Sequence, residues 1–262
     1  MENRVTVELM NLTTGYVTRS NRVIIEKNVD AVLHEGEFCC LLGPNGAGKS
    51  TLLRTLSGFM PPLSGTVMLF DRPLGAYSDQ ELSRKISVVL SDRPSVTSMT
   101  VEQLVALGRS PYTGFWGRLT DRDHKVVEHS MEVAAVNSFR HRLVDTLSDG
   151  ERQRVMIAKA LAQETPVIFL DEPTAFLDFP SKAEMMRILR HLAHKERKTV
   201  MLSTHDINMA LDLADSLWLV DKHIGMETGT TSALAESGAL ARYFAAPGIF
   251  FDKAAMQFTI KK

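Results

Sequence analysis

The run Gly43-Pro44-Asn45-Gly46-Ala47-Gly48-Lys49-Ser50 sets small residues, a lysine and a hydroxyl between an apolar stretch, Glu37 to Leu42, and a segment of helical spacing, Lys49 to Ser57. It fits the pattern G-x-x-x-x-G-K-[ST] in the strand-loop-helix setting that the pattern needs. Small residues let backbone N–H groups wrap a β-phosphate, the N-terminus of the following helix adds positive potential, and Lys49 neutralises charge on the β and γ phosphates. Ser50 is the expected Mg²⁺ ligand, and Thr51 follows it in the first turn among the nucleotide contacts. A second run, Val167-Ile168-Phe169-Leu170-Asp171-Glu172, is an apolar strand ending in two carboxylates. Asp171 can reach a Mg²⁺ shell through water, and Glu172 is placed to orient and deprotonate an attacking water. Taken alone, the pair also reads as a cap on the next helix. Beside a phosphate loop it reads as the equipment of nucleotide hydrolysis.

The elements that must hold these residues are legible from pattern. Val5 to Leu12, Val23 to Val32, Thr66 to Phe70 and Ile86 to Leu90 read as strands, as do Val167 to Leu170, Val200 to Ser203 and Leu217 to Val220. From about Val101 to Gln163 the pattern is mostly helical. The expected architecture is an α/β core interrupted by a helical insertion, with no internal repeat and no long heptad run. Phe250 to Ile260 reads as a short hairpin, while the rest of the tail from Lys222 carries little pattern.

Composition narrows the class further. With 262 residues, 44% hydrophobic and 23% charged, the chain is long enough to bury a sizeable core within one domain. A formal charge of −1 gives no global basic field, so binding to nucleic acid is not expected. No apolar run approaches the ~20 residues of a membrane-spanning helix, and Met1 to Met10 alternates polar and apolar residues instead of forming a signal-peptide core. A cytosolic protein without direct lipid insertion is expected. The adjacent Cys39 and Cys40 would face opposite sides of a strand, which excludes a disulfide or a shared metal and leaves a buried structural role.

A third motif distinguishes among phosphate-loop proteins. Leu147-Ser148-Asp149-Gly150-Glu151 opens a long amphipathic helix about twenty residues before Asp171, and here the sequence resembles the ABC ATPase family, whose signature is Leu-Ser-Gly-Gly-Gln. By that resemblance, Ser148, Gly150 and Glu151 belong to the turn that meets the γ-phosphate of ATP held by a second copy. Tyr16 corresponds to the aromatic that stacks on adenine, Ala175-Phe176-Leu177-Asp178 to the loop that crosses the dimer interface, and Ser203-Thr204-His205-Asp206 to the switch whose histidine contacts the γ-phosphate. Singly, Ser148 also reads as an N-cap, Tyr16 as an exposed strand-end aromatic, Asp178 as a turn residue and His205 as a helix-start histidine. Together and in family order they cover nearly the whole chain.

The resemblance implies an ABC-type core: a mixed sheet with flanking helices and an N-terminal antiparallel β region, formed by 1–90 and 164–262, with a helical subdomain over 91–163. It implies ATP and Mg²⁺, a homodimer with two sandwiched nucleotides, and work at the cytoplasmic face of a membrane with permease subunits and, through them, a substrate-binding protein. Val101 to Pro111, followed by Trp116-Gly117-Arg118, resembles the importer branch for iron-siderophore, haem or cobalamin. Pro111, Tyr112, Phe115 and Trp116 together suit a docking surface there, although Phe115 and Trp116 taken singly suit the subdomain's own core as well. A non-transport ABC ATPase, such as an iron–sulfur assembly factor, would share every nucleotide motif.

Two positions depart from the family pattern. Where a glutamine usually ligates Mg²⁺ there is Ser91, followed by Asp92, and either could substitute, directly or through water. In the signature, Asp149 and Glu151 replace glycine and glutamine. Repulsion by the incoming triphosphate predicts that both carboxylates turn away from it.

Overall fold

The computed structural model describes residues 4–18, 21–90, 98–114, 116–175, 177–244 and 246–260. It forms two compact units, one of Met1–Ala76 with Leu189–Lys262 and one of Tyr77–Ile188. The first begins with β1 (Val5–Val17), β2 (Arg22–His34), β3 (Phe38–Leu42), α1 (Lys49–Leu56), β4 (Ser64–Leu69) and β5 (Arg72–Pro73). The second holds α2 (Asp79–Ser83), β6 (Ile86–Val89), α3 (Val101–Ala106), α4 (Asp121–Val133), α5 (Asp149–Ala162), β7 (Val167–Asp171) and the start of α6 (Phe179–Glu196). The chain then returns to the first unit with β8 (Thr199–Thr204), α7 (Ile207–Leu213), β9 (Ser216–Asp221), β10 (Gly225–Thr230), α8 (Thr231–Glu236), α9 (Ala239–Phe244), β11 (Ile249–Asp252) and β12 (Gln257–Ile260).

In the first unit, β3 is buried along its whole length and lies between two parallel neighbours, β8 and β9. An unbroken apolar run is what a strand covered on both faces requires. Cys39 and Cys40 are free and buried in it, and burial pushes both thiols up, so neither is reactive. β10 closes one edge antiparallel to β9, which makes the sheet mixed. Its sequence, Gly-Met-Glu-Thr-Gly-Thr, has no apolar alternation, which is why the pattern in this tail was weak. A separate antiparallel sheet runs in the order β2-β1-β4-β5. β1 continues five residues past Leu12, where the sequence pattern stops. Asn11 adopts a φ of 47°, and the register shifts between Leu9 and Gly15 break the alternation on which the reading depended.

Glu26 on β2 is only 3% exposed and faces Thr14 across the β1–β2 pair. Its Oε1 and the Thr14 hydroxyl have no hydrogen-bond partner among the described residues. Burial, and then the nearby Asp221 charge, pushes the Glu26 carboxyl up to about 7 from an ordinary 4.5. A carboxyl raised in the folded state stabilises the fold fully below its unfolded value, and that contribution is lost as pH rises from about 4.5 through about 7. Glu26→Gln is therefore expected to be more stable than the native chain at pH 8, by about 1–2 kcal/mol. The difference should shrink toward zero near pH 4.5, and urea unfolding at the two pH values checks it.

The second unit pairs β6 and β7 in parallel, Ile86 with Val167 through Val89 with Leu170. Its helical part packs Val101, Leu104 and Val105 of α3 against Val127 and Met131 of α4 and Val155, Ala158 and Ala162 of α5. α3, α4 and α5 each start on a capping box, from Thr100, Thr120 and Ser148 respectively, so their N-termini are fixed by local sequence.

Arg109 is buried at 2% exposure in this unit. Its Nε donates to Asp123 Oδ1 at 2.8 Å, and its Nη1 donates to Glu164 Oε2 and to the Ala162 carbonyl, both at 2.7 Å. Hydrogen bonds from Thr120, and then the Arg109 guanidinium, hold the Asp123 carboxyl down at about 2. Arg109→Met removes the three bonds that the guanidinium donates and leaves the Asp123 charge, still capped by Thr120, buried beside an apolar chain. A loss of about 3–5 kcal/mol is expected, read by urea unfolding; a change under 1 kcal/mol would contradict the role of this network.

Candidate functional site

In the first unit the phosphate loop leaves the carboxyl end of β3. The geometry requires glycine at two of its positions. A Cβ on Gly43 would stand 2.2 Å from the Val220 carbonyl oxygen, so the loop can start flush against β9 only without a side chain. Gly48 has φ +104°, and a Cβ there would sit 1.9 Å from Ile25 Cγ2 of β2. Pro44, Asn45 and Gly46 are exposed, so the outer rim of the loop is open to a ligand. Lys49 is 5% exposed and folds back over the loop, its Nζ donating to the Gly43 carbonyl at 2.9 Å and to the Pro44 carbonyl at 3.2 Å. Those carbonyls hold the ammonium inside the loop, beside the backbone N–H groups at the start of α1. Ser50 and Thr51 follow in the first turn, both partly buried. Lys222, which pattern reading missed, brings its Nζ to 3.7 Å from the Cβ position of Gly46. It lies in a polar turn after β9 with no motif to mark it.

His205 belongs to the same edge of the same unit. Leu42 pairs with Thr204 in the parallel β3–β8 ladder, so the residues after each strand, Gly43 and His205, emerge side by side at the carboxyl end. Ligands of open α/β sheets bind at that end. His205 is exposed, and the turn around it is set by Asp206 N–H donating to Thr204 Oγ1 at 3.1 Å and Ile207 N–H to the His205 carbonyl at 3.1 Å. Tyr16 is 43% exposed next to the β1 bulge and pairs with Val23. It lines a cleft of about 490 Å³ with Arg22, Met60, Pro61, Pro62 and Leu63.

The second unit carries the remaining groups. Asp171 ends the wholly buried β7 at 1% exposure. Glu172 follows it with a φ of 51°, a conformation that costs a non-glycine residue on the order of 1 kcal/mol and turns the chain sharply out of the strand. Asp178 accepts the Ser181 N–H at 3.1 Å, and its carbonyl accepts the Lys182 N–H at 2.9 Å; it thus caps α6, and the Ser181 bonds hold its carboxyl below the ordinary range.

Ser148 caps α5. Its Oγ accepts the Glu151 N–H at 3.3 Å, and its hydroxyl proton is turned to the Glu151 carboxylate. Glu151 turns back on this turn: Oε2 accepts the Ser148 N–H at 2.8 Å, and Oε1 accepts from Arg142 Nη1 at 2.8 Å. The Ser148 backbone bond, opposed by burial and aided by the Ser148 hydroxyl and Arg142, lowers its pKa. Its charge is thereby engaged by local donors, and Arg142 is a participant that the signature pattern did not mark. The Cβ position of Gly150 is 3.0 Å from Leu177 Cδ2, so the signature turn and the loop leading to Asp178 lie together within this unit. Ser91, Asp92, Phe115 and Phe176 lie outside the described residues. Trp116 is 83% exposed and is not part of the helical core. Tyr112 has a structural seat instead: its ring lies 4.2 Å from the Arg109 guanidinium, and its hydroxyl donates to the Gln163 carbonyl at 3.0 Å.

Among the described residues no three His, Cys, Asp or Glu side chains converge as a metal cage. The donors singled out by sequence, the Ser50 hydroxyl and the Asp171 carboxylate, are hard oxygen ligands, too few to hold an ion alone. That donor set fits Mg²⁺, which keeps several waters and takes further ligands from substrate phosphates. No helix among the described residues is long and apolar enough to cross a membrane.

Comparison with known proteins agrees with this arrangement. The family profile described as ABC transporter matches residues 26–175. An uncharacterized ABC transporter ATP-binding protein of Methanocaldococcus jannaschii is 40% identical over 81% of this chain and 72% of its own. The achromobactin transport ATP-binding protein CbrD of Dickeya dadantii is 34% identical over 89% of this chain and 85% of its own. Among solved structures, the dimeric post-hydrolysis state of the ATP-binding cassette MJ0796, bound to ADP and Pi, superposes with a TM-score of 0.76 at 29% identity, covering 86% of this chain and 98% of that one. With the phosphate loop, the strand-end carboxylates and the capped signature turn each built as described, the chain belongs to the ABC transporter family as an ATP-hydrolysing subunit.

Proposed function

We propose that this subunit powers import of an iron-siderophore, haem or cobalamin through a membrane permease, working as a homodimer on the cytoplasmic face. What carries the reading is near full-length likeness to a subunit named for achromobactin transport, in a chain that retains Lys49, Asp171, Glu172 and His205. In it, Tyr16 stacks on adenine, the residues from Gly43 to Thr51 cradle the phosphates, and His205 contacts the γ-phosphate. Glu172 takes a proton from the attacking water. Ser50 and Asp171 hold Mg²⁺, which when bound supplies charge neutralisation at the β and γ oxygens. Ser91 or Asp92 stands in for the glutamine common in the family.

Ser148 and Gly150 come from the second copy, which brings the positive end of α5 toward the γ-phosphate, and Asp178 lies along the interface between copies. Closure of the pair on two ATP molecules and its release on hydrolysis deliver the work as movement. Trp116 suits a surface that docks the permease, which in turn meets a substrate-binding protein.

Deletion of the gene tests the assignment to import. Uptake of a labelled iron chelate or of cobalamin should be lost, restored by the native chain and not by Lys49→Ala, and the tagged chain should copurify with a polytopic membrane protein. Unchanged uptake, with copurification of a soluble iron–sulfur assembly protein, would overturn it.

A further inference from the structure

The C-terminal hairpin is built onto the segment that follows His205. β11 and β12 pair from Ile249 with Ile260 to Asp252 with Gln257. Phe258 of β12 sits between Phe251, at 5.0 Å between ring centroids, and Phe244 of α9, at 5.7 Å edge to face. α9 is itself fixed to β10: Arg242 Nη2 donates to Glu227 Oε2 at 2.7 Å, and Tyr243 Oη donates to the Gly225 carbonyl at 3.1 Å. From this anchored base the hairpin reaches α7. The backbone N–H of Phe258 donates to Asn208 Oδ1 at 2.9 Å.

Asn208 is exposed, three residues after His205 and in the first turn of a helix only seven residues long. First turns fray, and a short helix has few internal bonds to resist it. Restraint at Asn208 therefore acts directly beside the turn Thr204–Ile207, in which Asp206 N–H donates to Thr204 Oγ1 and Ile207 N–H to the His205 carbonyl, each at 3.1 Å.

We propose that Asn208 is a positioning residue, through which the C-terminal hairpin holds the His205 turn in its working conformation and so sets the rate of hydrolysis without touching nucleotide. This rests on the reading of His205 as the γ-phosphate contact. Misplacement of a reacting group by a fraction of an ångström slows the chemical step more than it weakens binding.

Asn208→Ala in the full chain should lower kcat for ATP roughly 3- to 10-fold while the Kd for ATP stays within about twofold. Asn208→Asp keeps the acceptor and should restore most of the rate. Phe258→Ala should slow turnover similarly, and combining it with Asn208→Ala should add little, because both break one linkage. Amide exchange in Ile207–Leu213 should quicken in the alanine variants and not in Asn208→Asp.

Native kcat in Asn208→Ala, or equal slowing in Asn208→Asp, overturns the proposal. His205→Ala separates the two readings. If it keeps native turnover, the role of His205 itself is wrong; if it is inactive while Asn208→Ala is native, His205 stands and the hairpin's role falls.

Discussion

Glu172→Gln is expected to bind ATP normally and to hydrolyse it at least about 100-fold more slowly, since general-base assistance contributes about 10²–10⁴ in rate. The substitution keeps the shape and hydrogen-bonding reach of the side chain, so the strained turn at a φ of 51° is not disturbed. What it removes is the capacity to take a proton from water. With hydrolysis stopped and binding intact, two copies should remain locked on two ATP molecules, so the variant should elute as a dimer in Mg²⁺-ATP and as a monomer without nucleotide. Phosphate release and gel filtration read the two effects. Native turnover in Glu172→Gln would remove Glu172 from the role of base and leave the neighbouring Asp171 as the group to examine.

Lys49→Ala is expected to fail one step earlier, at binding. The ammonium is held by the Gly43 and Pro44 carbonyls, at 2.9 and 3.2 Å, inside the phosphate loop. Its loss takes away a charge-assisted bond worth about 1.5–3 kcal/mol, or roughly 10- to 100-fold in ATP affinity. Turnover should fall further, because charge on the transferring phosphoryl group goes unneutralised. The fold should hold, since the bonds lost are to loop carbonyls and the glycine-dependent path of the loop is unchanged. Titration with a fluorescent ATP analogue and a thermal melt separate these effects. Arginine should not rescue the function, because its planar fork does not fit where a compact ammonium meets two carbonyls.

Much of this was legible before any coordinates. β3 and β7 are unbroken apolar runs that end in chemistry, and a run of that kind can only be a buried strand feeding a loop. The capping boxes at Thr100, Thr120 and Ser148 are local, so the helix starts they fix are readable from four residues. Illegible features depend on partners distant in sequence. The β1 extension beyond Leu12 is held by pairing with β2 across several bulges. β10 is an edge strand whose bonds to β9 do the work that side chains usually advertise. The buried Arg109 is the clearest case. Its partners Asp123 and Glu164 lie 14 and 55 residues away, and in sequence it is one more basic residue at the end of a helix. Glu151 illustrates the middle ground: electrostatics gave a reason for its carboxylate to avoid a triphosphate, and the structure supplies the Ser148 N–H and Arg142 as the groups that occupy it.

In the proposed homodimer, hydrolysis needs the phosphate loop of one copy and the signature turn of the other. Mixing two variants tests it directly. Lys49→Ala disables a loop, and Ser148→Asp sets a negative charge toward the γ-phosphate while keeping a good N-cap on α5. Each variant alone should be inactive. In a mixed pair, the intact loop of the Ser148→Asp copy meets the intact signature of the Lys49→Ala copy, so the mixture should regain a substantial fraction of native ATPase activity, rising and falling with the proportion of mixed pairs. A mixture as inactive as its parts, with mixed pairs shown to form, would contradict a site shared between two copies.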